Sequence, residues 1–397
     1  MRDAWAPEEF KARTDAVLAG FLDEEAAELL AVDEALDPLA EALRATARHG
    51  KRLRAAFCYW GWRAAGQPDS DALMRAAAAM ELVHAAAVVH DDLIDDSPLR
   101  HGRPTAHHAF ATLPDKALPD GAQPHKAHPH TVTPPTAPPP TAPPPTAPPP
   151  TAPPPAAPPH TSRRPRPAEA RALALLLGDH LMALAGRLYT ESGLPAAYLS
   201  RGRPLWAVLA RELVAGEALE ILHTGGAPDT GTSLKVIRYK TAKYTVEQPL
   251  LLGALLAGAP AALREGLSLY GLPLGEAFQL RDDLLGLFGD PARTGKAPLD
   301  DLRTARPTVL LAETWRTAGP AQRVLLRRAL DGDGPPDEEE LRKVRALMTE
   351  LGAPARVEHM ITCRVEEAVR TLDALDLPAA AHRALTDLAH RAAVRHH

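Results

Sequence analysis

A proline-rich segment in the middle of the chain sets the first limit on its fold. Residues 136–155 are four tandem copies of Thr-Ala-Pro-Pro-Pro, within a stretch of altered composition from about Thr112 to Pro167. Proline has no amide hydrogen and fixes φ, so such a segment can join neither a helix nor the interior of a sheet. We therefore expect an extended, solvated insertion, either a tolerated spacer or a docking segment for a partner.

The sequence on either side of this insertion predicts an all-α protein. Ala, Leu, Arg and Glu dominate it, with almost no alternating runs of the Val, Ile, Thr and aromatic residues from which strands form. Hydrophobic residues make up 45% of the chain, which is ample for a buried core. Because helical periodicity resumes at Leu173, we predict one helical domain built from residues 1–112 and 169–397 and joined across a disordered insertion at residues 113–168.

Breaks rich in Gly, Pro and Asp divide the flanking sequence into helices. We expect these helices at about Pro7 to Gly20, Asp23 to Gly66, Asp69 to Asp96, Ala168 to Ser192, Leu205 to His223, Thr232 to Ala257 and Leu263 to Phe288, with several more from Arg306 onward.

Composition argues against several classes of protein. The 45 Lys and Arg nearly balance the 50 Asp and Glu, so no basic field favours binding to nucleic acid. Cys58 and Cys363 lie far apart without a CxxC motif, which argues against a disulfide framework and a structural zinc site. No run approaches the roughly 18 apolar residues of a membrane span. We therefore expect a cytoplasmic protein without a transmembrane segment.

An acidic cluster ends the helix expected at Asp69 to Asp96. Asp91 and Asp95 are four residues apart, which places them one turn apart on one helix face, and Asp92 lies beside them. The helix dipole disfavours negative charge at this end unless a cation offsets it. Oxygen ligands suit Mg²⁺ that bridges to diphosphate oxygens. Taken alone, such a cluster is more typical of a solvated helix end than of a functional site.

A second acidic pair, Asp282 and Asp283, also ends an apolar helix, so the two helix ends can face one cavity. Basic residues occur where a diphosphate would need them, although each can also be a solvated charge: Lys51, Arg52, Arg54, Arg100, Arg103, Lys240 and Lys243. The chain has no Ser-His-Asp or Cys-His arrangement that suggests a protein nucleophile.

Together these motifs resemble the trans-isoprenyl diphosphate synthases, or polyprenyl synthetases. Asp91-Asp92-x-x-Asp95 resembles the first aspartate-rich motif of that family, and Asp282-Asp283 resembles the start of the second. The other matches are Gly50-Lys51-x-x-Arg54, His84, Arg100, Gly178-Asp179, Lys240-Thr241, Phe278-Gln279 and Lys296. The resemblance covers nearly all of the chain outside the insertion, and it implies a helical bundle of the isoprenoid synthase type with a central active-site cavity.

The resemblance also implies a reaction and a role for each residue. Mg²⁺, as three ions with substrate bound, would bind Asp91, Asp95, Asp282 and Asp283 and assist ionisation of an allylic diphosphate. Isopentenyl diphosphate would then attack the allylic cation and lose a proton. The implied substrate-binding residues are Lys51, Arg54, His84, Arg100, His101, Lys240, Thr241, Gln279 and Lys296, and the implied assembly is a homodimer.

Three features depart from the family pattern. Gly286 stands where the second motif often has its last aspartate, and His101 stands where the family usually has an arginine that contacts isopentenyl diphosphate. The third departure is the insertion itself. Its composition resembles the loading tags of some encapsulin shells, so a protein partner or shell is a possible use for it.

Small residues above the first motif set an expectation for product length. Ala86 and Ala87 would leave the floor of the cavity open, and Val83 and Met80 are the next obstacles on that helix. We therefore favour a twenty-carbon product over one of fifteen or of more carbons. The alternative is that these alanines only allow close helix packing and that neighbouring helices supply the floor.

Two other functions compete with a synthase. A class I terpene cyclase shares the fold and the first motif, but its second metal motif is missing here, and Lys51 and Arg54 would have no purpose in it. A non-catalytic partner subunit of a synthase is consistent with Gly286 and His101, but not with the survival of Asp91, Asp95, Asp282 and Lys240 together.

Overall fold

The computed structural model describes residues 5–100, 102–113, 165–289, 299–331 and 337–393. Nearly all of the predicted insertion, together with His101 and Lys296, lies outside the described residues. What the structure describes is almost entirely helical, and the predicted all-α class is confirmed.

Sixteen α-helices make up most of the described chain. They are α1 Pro7–Val32, α2 Asp37–Thr46, α3 Leu53–Ala64, α4 Asp71–Ile94, α5 Ala106–Ala111, α6 Pro167–Thr190, α7 Ala196–His223, α8 Thr230–Ile237, α9 Gln248–Ala257, α10 Ala261–Phe288, α11 Asp300–Arg303, α12 Val309–Thr317, α13 Pro320–Asp331, α14 Glu338–Glu350, α15 Ala353–Asp373 and α16 Ala379–Ala393. A short 3₁₀ turn, Glu34–Leu36, precedes α2, and a π-helix, Arg238–Glu247, joins α8 to α9. The two-residue strands β1 Leu99–Arg100 and β2 Arg103–Pro104 pair as an antiparallel hairpin.

Helix α4 runs through the centre of the main core. Ser70 caps its first turn, because the Ser70 hydroxyl oxygen accepts a hydrogen bond from the Leu73 amide at 3.1 Å. Alanines on this helix, such as Ala76 and Ala79, are fully buried and let α6 pack closely along it. The packing holds the acidic end of α4 in a fixed position.

Helices α3 and α9 touch through their backbones. A Cβ atom at Gly61 would lie 2.0 Å from the Leu250 carbonyl oxygen, and one at Gly253 would lie 1.8 Å from the Cys58 carbonyl oxygen. Only glycine fits at either position, so each substitution to alanine would force the helices apart. This contact fixes α3, which carries the predicted Arg54 in its first turn, against the helix that follows the π-helix.

The helix predicted at Asp23 to Gly66 is wrong in its extent. Helix α1 continues through Gly20 and ends at Val32. A glycine inside a helix is only about 1 kcal/mol less favourable than an alanine, so Gly20 does not end the helix. Asp33 then takes extended angles and caps the 3₁₀ turn through its carboxylate. A second break precedes α3, where Gly50 has φ 132° and Arg52 has φ 55°.

Two helices, α4 and α6, have the length and hydropathy of a membrane span. In α4, 67% of the most apolar window is buried inside the protein, and in α6 the fraction is 44%. Packing into the main core accounts for the apolar character of α4.

Candidate active site

The acidic cluster at the end of α4 is surrounded by cations from three other parts of the chain. The Asp91 carboxylate accepts hydrogen bonds from Lys240 at 2.8 Å and from Arg100 at 2.9 Å. Arg100 also donates two hydrogen bonds to Asp92, at 2.8 and 2.5 Å. Asp95 forms an ion pair with Arg306. The structure therefore brings the first motif together with the predicted Arg100 and Lys240.

Local backbone structure places these cations. The hairpin of β1 and β2 turns the chain back on α4 after the motif, with Gly102 at φ 73° in the turn, and thereby points Arg100 at the aspartates. Lys240 lies on the π-helix. Helix α7 approaches the π-helix closely because residue 216 is glycine. A Cβ atom at this position would lie 2.2 Å from the backbone nitrogen of Lys240.

Two further carboxylates, Glu217 and Glu220 on α7, were not predicted. Lys240 lies 3.0 Å from a Glu217 oxygen and also donates a hydrogen bond to Glu220. One carboxylate oxygen from each of Asp91, Glu217 and Glu220 lies within 4.8 Å of the other two. The i, i+3 spacing of two acids beside a glycine on a predicted helix was the available signal. Arg306, by contrast, had no local signal.

Burial and charge shift the pKa values of this cluster in opposite directions. Burial acts to raise the pKa of Asp91, but Lys240, Arg306 and Arg100 outweigh it and hold that pKa well below its usual range. Burial raises the pKa of Glu220 to about 7, although Lys240 opposes the shift. Lys240 itself has a raised pKa, because the carboxylates of Asp91, Glu220 and Glu217 outweigh the effect of its burial.

The chemistry of this cluster fits Mg²⁺. The carboxylates of Asp91, Asp92, Asp95, Glu217 and Glu220 outnumber the cations of Arg100, Lys240 and Arg306. The candidate donors are all oxygen atoms, which Mg²⁺ prefers over nitrogen or sulfur. A dication would offset the excess negative charge at a helix end whose dipole opposes it.

The second motif is connected to the first through the π-helix. Lys240 bonds Asp91, and the hydroxyl of its neighbour Thr241 donates a hydrogen bond to Gln279 Oε1 at 2.8 Å. Gln279 Nε2 then donates to Asp283 Oδ1, also at 2.8 Å. Asp282 precedes Asp283 on α10 and is half-buried. The predicted Lys-Thr pair thus links the two aspartate motifs.

A second group of predicted residues gathers around Tyr244. Arg54 is 6% exposed, and its guanidinium donates to the hydroxyl oxygens of Tyr244 and Thr245, each at 2.8 Å. The guanidinium carbon also lies 4.5 Å from the centre of the Tyr244 ring. His84 Nδ1 is 3.3 Å from the Tyr244 hydroxyl. Lys51 is exposed, at the loop that leads into α3.

A buried carboxylate on α4 holds the start of α3 in place. Glu81, which is 5% exposed, accepts a hydrogen bond from the Ala55 amide at 2.9 Å. An amide in the first turn of a helix has no partner within the helix, so this contact satisfies it. Arg54 is therefore anchored at its backbone to the same helix that carries the first aspartate motif.

Two other motif residues have structural explanations. Gly178 on α6 makes room for His90, since a Cβ atom at this position would lie 2.2 Å from His90 Nε2. Asp179 is exposed and lies 3.4 Å from His90 Nε2. Lys243, in contrast, pairs with Glu212 on α7 at 2.9 and 3.0 Å.

Comparison with known proteins agrees with this arrangement. The polyprenyl synthetase family model matches residues 37–117 and 166–348, on either side of the proline-rich repeats. A (2E,6E)-farnesyl diphosphate synthase of Mycobacterium tuberculosis is 30% identical over 352 residues, covering 86% of this chain and 78% of that protein. An octaprenyl diphosphate synthase of Escherichia coli is 27% identical over 349 residues, covering 87% of this chain and 86% of that protein.

A solved structure is similar over almost the whole chain. The geranylgeranyl pyrophosphate synthase from Corynebacterium glutamicum, complexed with isoprenyl diphosphate and magnesium, has a TM-score of 0.81 and 28% sequence identity. The match covers 98% of this chain and 99% of that one. The chain therefore belongs to the polyprenyl synthetase family, and it is a prenyltransferase that joins isopentenyl diphosphate to an allylic diphosphate.

Proposed function

We propose that the first aspartate cluster and the Asp282-Asp283 pair hold Mg²⁺, three ions with substrate bound, against the allylic diphosphate, and that the main product has twenty carbons. The observation that carries this assignment is that two adjacent residues reach both motifs, because Lys240 donates a hydrogen bond to Asp91 and Thr241 connects through Gln279 to Asp283. It ties both acidic motifs to one turn of backbone.

The residues of the chain divide the work of the reaction. When bound, Mg²⁺ supplies charge that stabilises the departing diphosphate. Lys240 and Arg100, now paired with carboxylates, exchange part of that pairing for diphosphate oxygens and place the allylic carbon. Arg54, His84 and Lys51 hold isopentenyl diphosphate so that its double bond faces the developing cation. We assign no protein base, and the released diphosphate takes the proton.

Measuring diphosphate release separates the three candidate functions. The assay supplies geranyl or farnesyl diphosphate with Mg²⁺, with and without isopentenyl diphosphate. Release that requires isopentenyl diphosphate supports the synthase, whereas release without it indicates a terpene cyclase. No release in either case, from protein with a native circular dichroism spectrum, indicates a non-catalytic subunit.

The twenty-carbon assignment rests on the face of α4 above Asp91. Ala87 lies one turn above Asp91 and is half-buried, while Val83, a further turn up, is fully buried. A growing chain can therefore pass Ala87 and meets Val83 next. Ala86 is fully buried in the packing of the helices, which leaves Ala87 as the residue that opens this face.

Replacing Ala87 with phenylalanine tests this floor. Ala87→Phe should shift the main product from twenty to fifteen carbons, as measured by chromatography of the dephosphorylated products. Ala85→Phe is the matched control, because Ala85 is also half-buried on α4 but two residues away and thus on another side of the helix. Equal product lengths in both variants and the wild type would refute the assignment.

We also propose a cytoplasmic homodimer that is formed through the outer faces of α6 and α7. These faces expose large apolar side chains that packing within the described chain does not use: Leu175, Leu176, Val214, Ile221 and Leu222. Several large exposed apolar side chains on two long helices are typical of an interface. Val214→Glu should halve the mass measured by light scattering, whereas Val324→Glu, at an exposed valine on α13, should not.

A further inference from the structure

A cluster of potential metal ligands lies outside the proposed active site. Asp96 follows the first aspartate motif, and His107 and His108 lie on the short helix α5. One ligand atom from each of the three lies within 4.8 Å of the other two. The proposed reaction assigns no role to any of the three side chains, so it leaves this cluster unexplained.

The second observation is the state of His107. Its side chain is 5% exposed, yet its Nε2 atom makes no hydrogen bond and lies 3.4 Å from Asp96 Oδ1. The Thr105 hydroxyl proton is donated to the Ser97 carbonyl at 2.7 Å, so Thr105 Oγ1 can only accept from His107 Nδ1, which is 3.4 Å away. Nδ1 then carries the ring proton, and Nε2 presents its lone pair to the carboxylate.

His107 Nε2 is then a buried acceptor 3.4 Å from Asp96 Oδ1, which accepts a hydrogen bond from Arg171 but none from the ring. A buried polar atom left without a partner is unfavourable, and a cation bound by both atoms would remove that cost. We propose that Asp96, His107 and His108 form a second metal site, which takes a borderline divalent transition ion such as Zn²⁺ and leaves one position to water.

The donor types select this class of ion over Mg²⁺. Imidazole nitrogen suits Zn²⁺, Co²⁺, Ni²⁺ and Cu²⁺, whereas Mg²⁺ prefers oxygen. Metal–ligand bonds of about 2.0–2.1 Å in a tetrahedral site separate two ligand atoms by about 3.3–3.4 Å, close to the measured 3.4 Å.

A hydrogen-bond donor outside the three proposed ligands orients the Asp96 carboxylate, as is usual for carboxylates that bind a metal. Arg171 donates to Asp96 Oδ1 at 2.6 Å and to the Leu93 carbonyl at 2.9 Å, which fixes the carboxylate against α4. An ion held here would bridge the end of α4 to α5. Since β1 and β2 lie between these elements, it would brace the hairpin that presents Arg100.

Cobalt titration of the full chain tests the proposal directly. Co²⁺ would be added in excess Mg²⁺, which saturates the all-oxygen sites, and its visible d–d absorption would be recorded. We expect one equivalent of Co²⁺ to give an intense low-symmetry spectrum, and Zn²⁺ to displace it. Asp96→Asn and His108→Ala should each weaken Co²⁺ binding more than about tenfold. Even the loss of a residue that only supports a metal ligand lowers metal affinity by about tenfold or more.

Two control variants separate this site from other histidines. His382 pairs with Asp373 at 2.9 Å on the surface without a third ligand, so His382→Ala should leave the titration unchanged. Cys363 lies 3.6 Å from His359 Nε2, and Cys363→Ser should also have no effect. Asn is well tolerated at the φ of 53° that Asp96 adopts, so Asp96→Asn keeps the fold. No Co²⁺ spectrum in the wild type, or one that Asp96→Asn and His108→Ala leave intact, would overturn the proposal.

Discussion

Two arginines that the family resemblance assigned to diphosphates sit in opposite electrostatic surroundings. Arg100 is neutralised within the protein, because it donates to the carboxylates of Asp91 and Asp92. Arg54 is more deeply buried, and within the described chain it contacts hydroxyl groups and the Tyr244 ring but forms no ion pair. Its Nε atom is buried without a hydrogen-bond partner.

The contrast separates two ways to bind an anion. The Arg100 region is a balanced cluster of acids and bases that a metal–diphosphate complex must rearrange. The Arg54 region is a cation kept without a counter-ion, at a cost in free energy, so that an anion completes it. We infer that isopentenyl diphosphate binds at Arg54 without Mg²⁺, whereas the allylic diphosphate binds at the first motif together with the metal.

The largest effect should follow from removing a carboxylate from the proposed Mg²⁺ site. Asp91→Asn removes the charge that holds Lys240 and Arg100 together with the proposed Mg²⁺, and we expect kcat to fall at least about a thousandfold. Asp71→Asn is the matched control at the exposed other end of the same helix. Steady-state turnover with saturating substrates measures both. Near-normal turnover in Asp91→Asn would place the metal elsewhere.

The next largest effect should follow from replacing Arg54, the arginine that forms no ion pair within the described chain. Arg54→Met removes the cation assigned to isopentenyl diphosphate, so the KM for that substrate should rise about ten- to a hundredfold, with little change in the KM for the allylic diphosphate. Varying each substrate in turn measures this. If the allylic KM rises instead, the two substrate sites are assigned the wrong way round.

The same two arginines should also differ in what they contribute to stability. Replacing Arg100 should lower the free energy of unfolding more than replacing Arg54. Arg100→Met leaves the buried Asp92 without its cation, and we expect the free energy of unfolding to fall by about 2 kcal/mol, less than for a fully buried pair because Arg100 is 26% exposed. Arg54→Met removes a buried charge that has no ion-pair partner and should change stability by less than about 1 kcal/mol. Urea denaturation measures both, and equal losses would contradict the contrast.

The sequence could place the first motif near Arg100 because the spacing of these residues is local. Asp91 and Asp95 share a helix face wherever that helix packs, and Arg100 follows within one hairpin. Contacts between distant segments were not predictable in this way. Arg306 reaches Asp95 from 211 residues away, and the acids on α7 meet Lys240 only because two helices pack against each other at Gly216.

The π-helix explains why Lys240 and Lys243 have different partners. A regular helix over Thr232 to Ala257 would put Lys240 and Lys243 on neighbouring positions of one face. Pro249 instead removes one amide, and its ring would clash with the carbonyl four residues earlier, so the backbone widens before it. The Gln248 amide accordingly bonds the Lys243 carbonyl, five residues back. Pro249 was therefore the feature of the sequence that indicated the π-helix.

The smallest expected effect concerns Gly286, one turn after Asp282 on the same face of α10. Gly286→Asp would add a carboxylate beside Asp282, so the Mg²⁺ concentration that gives half-maximal turnover should fall by a few-fold. Gly286→Asn is the matched control, because it has a similar shape and helix propensity without the charge. Both variants should gain a few tenths of a kcal/mol in stability relative to glycine. If the Mg²⁺ requirement falls equally in both variants, helix propensity and not the added charge is the cause, and a carboxylate at position 286 does not reach the metal.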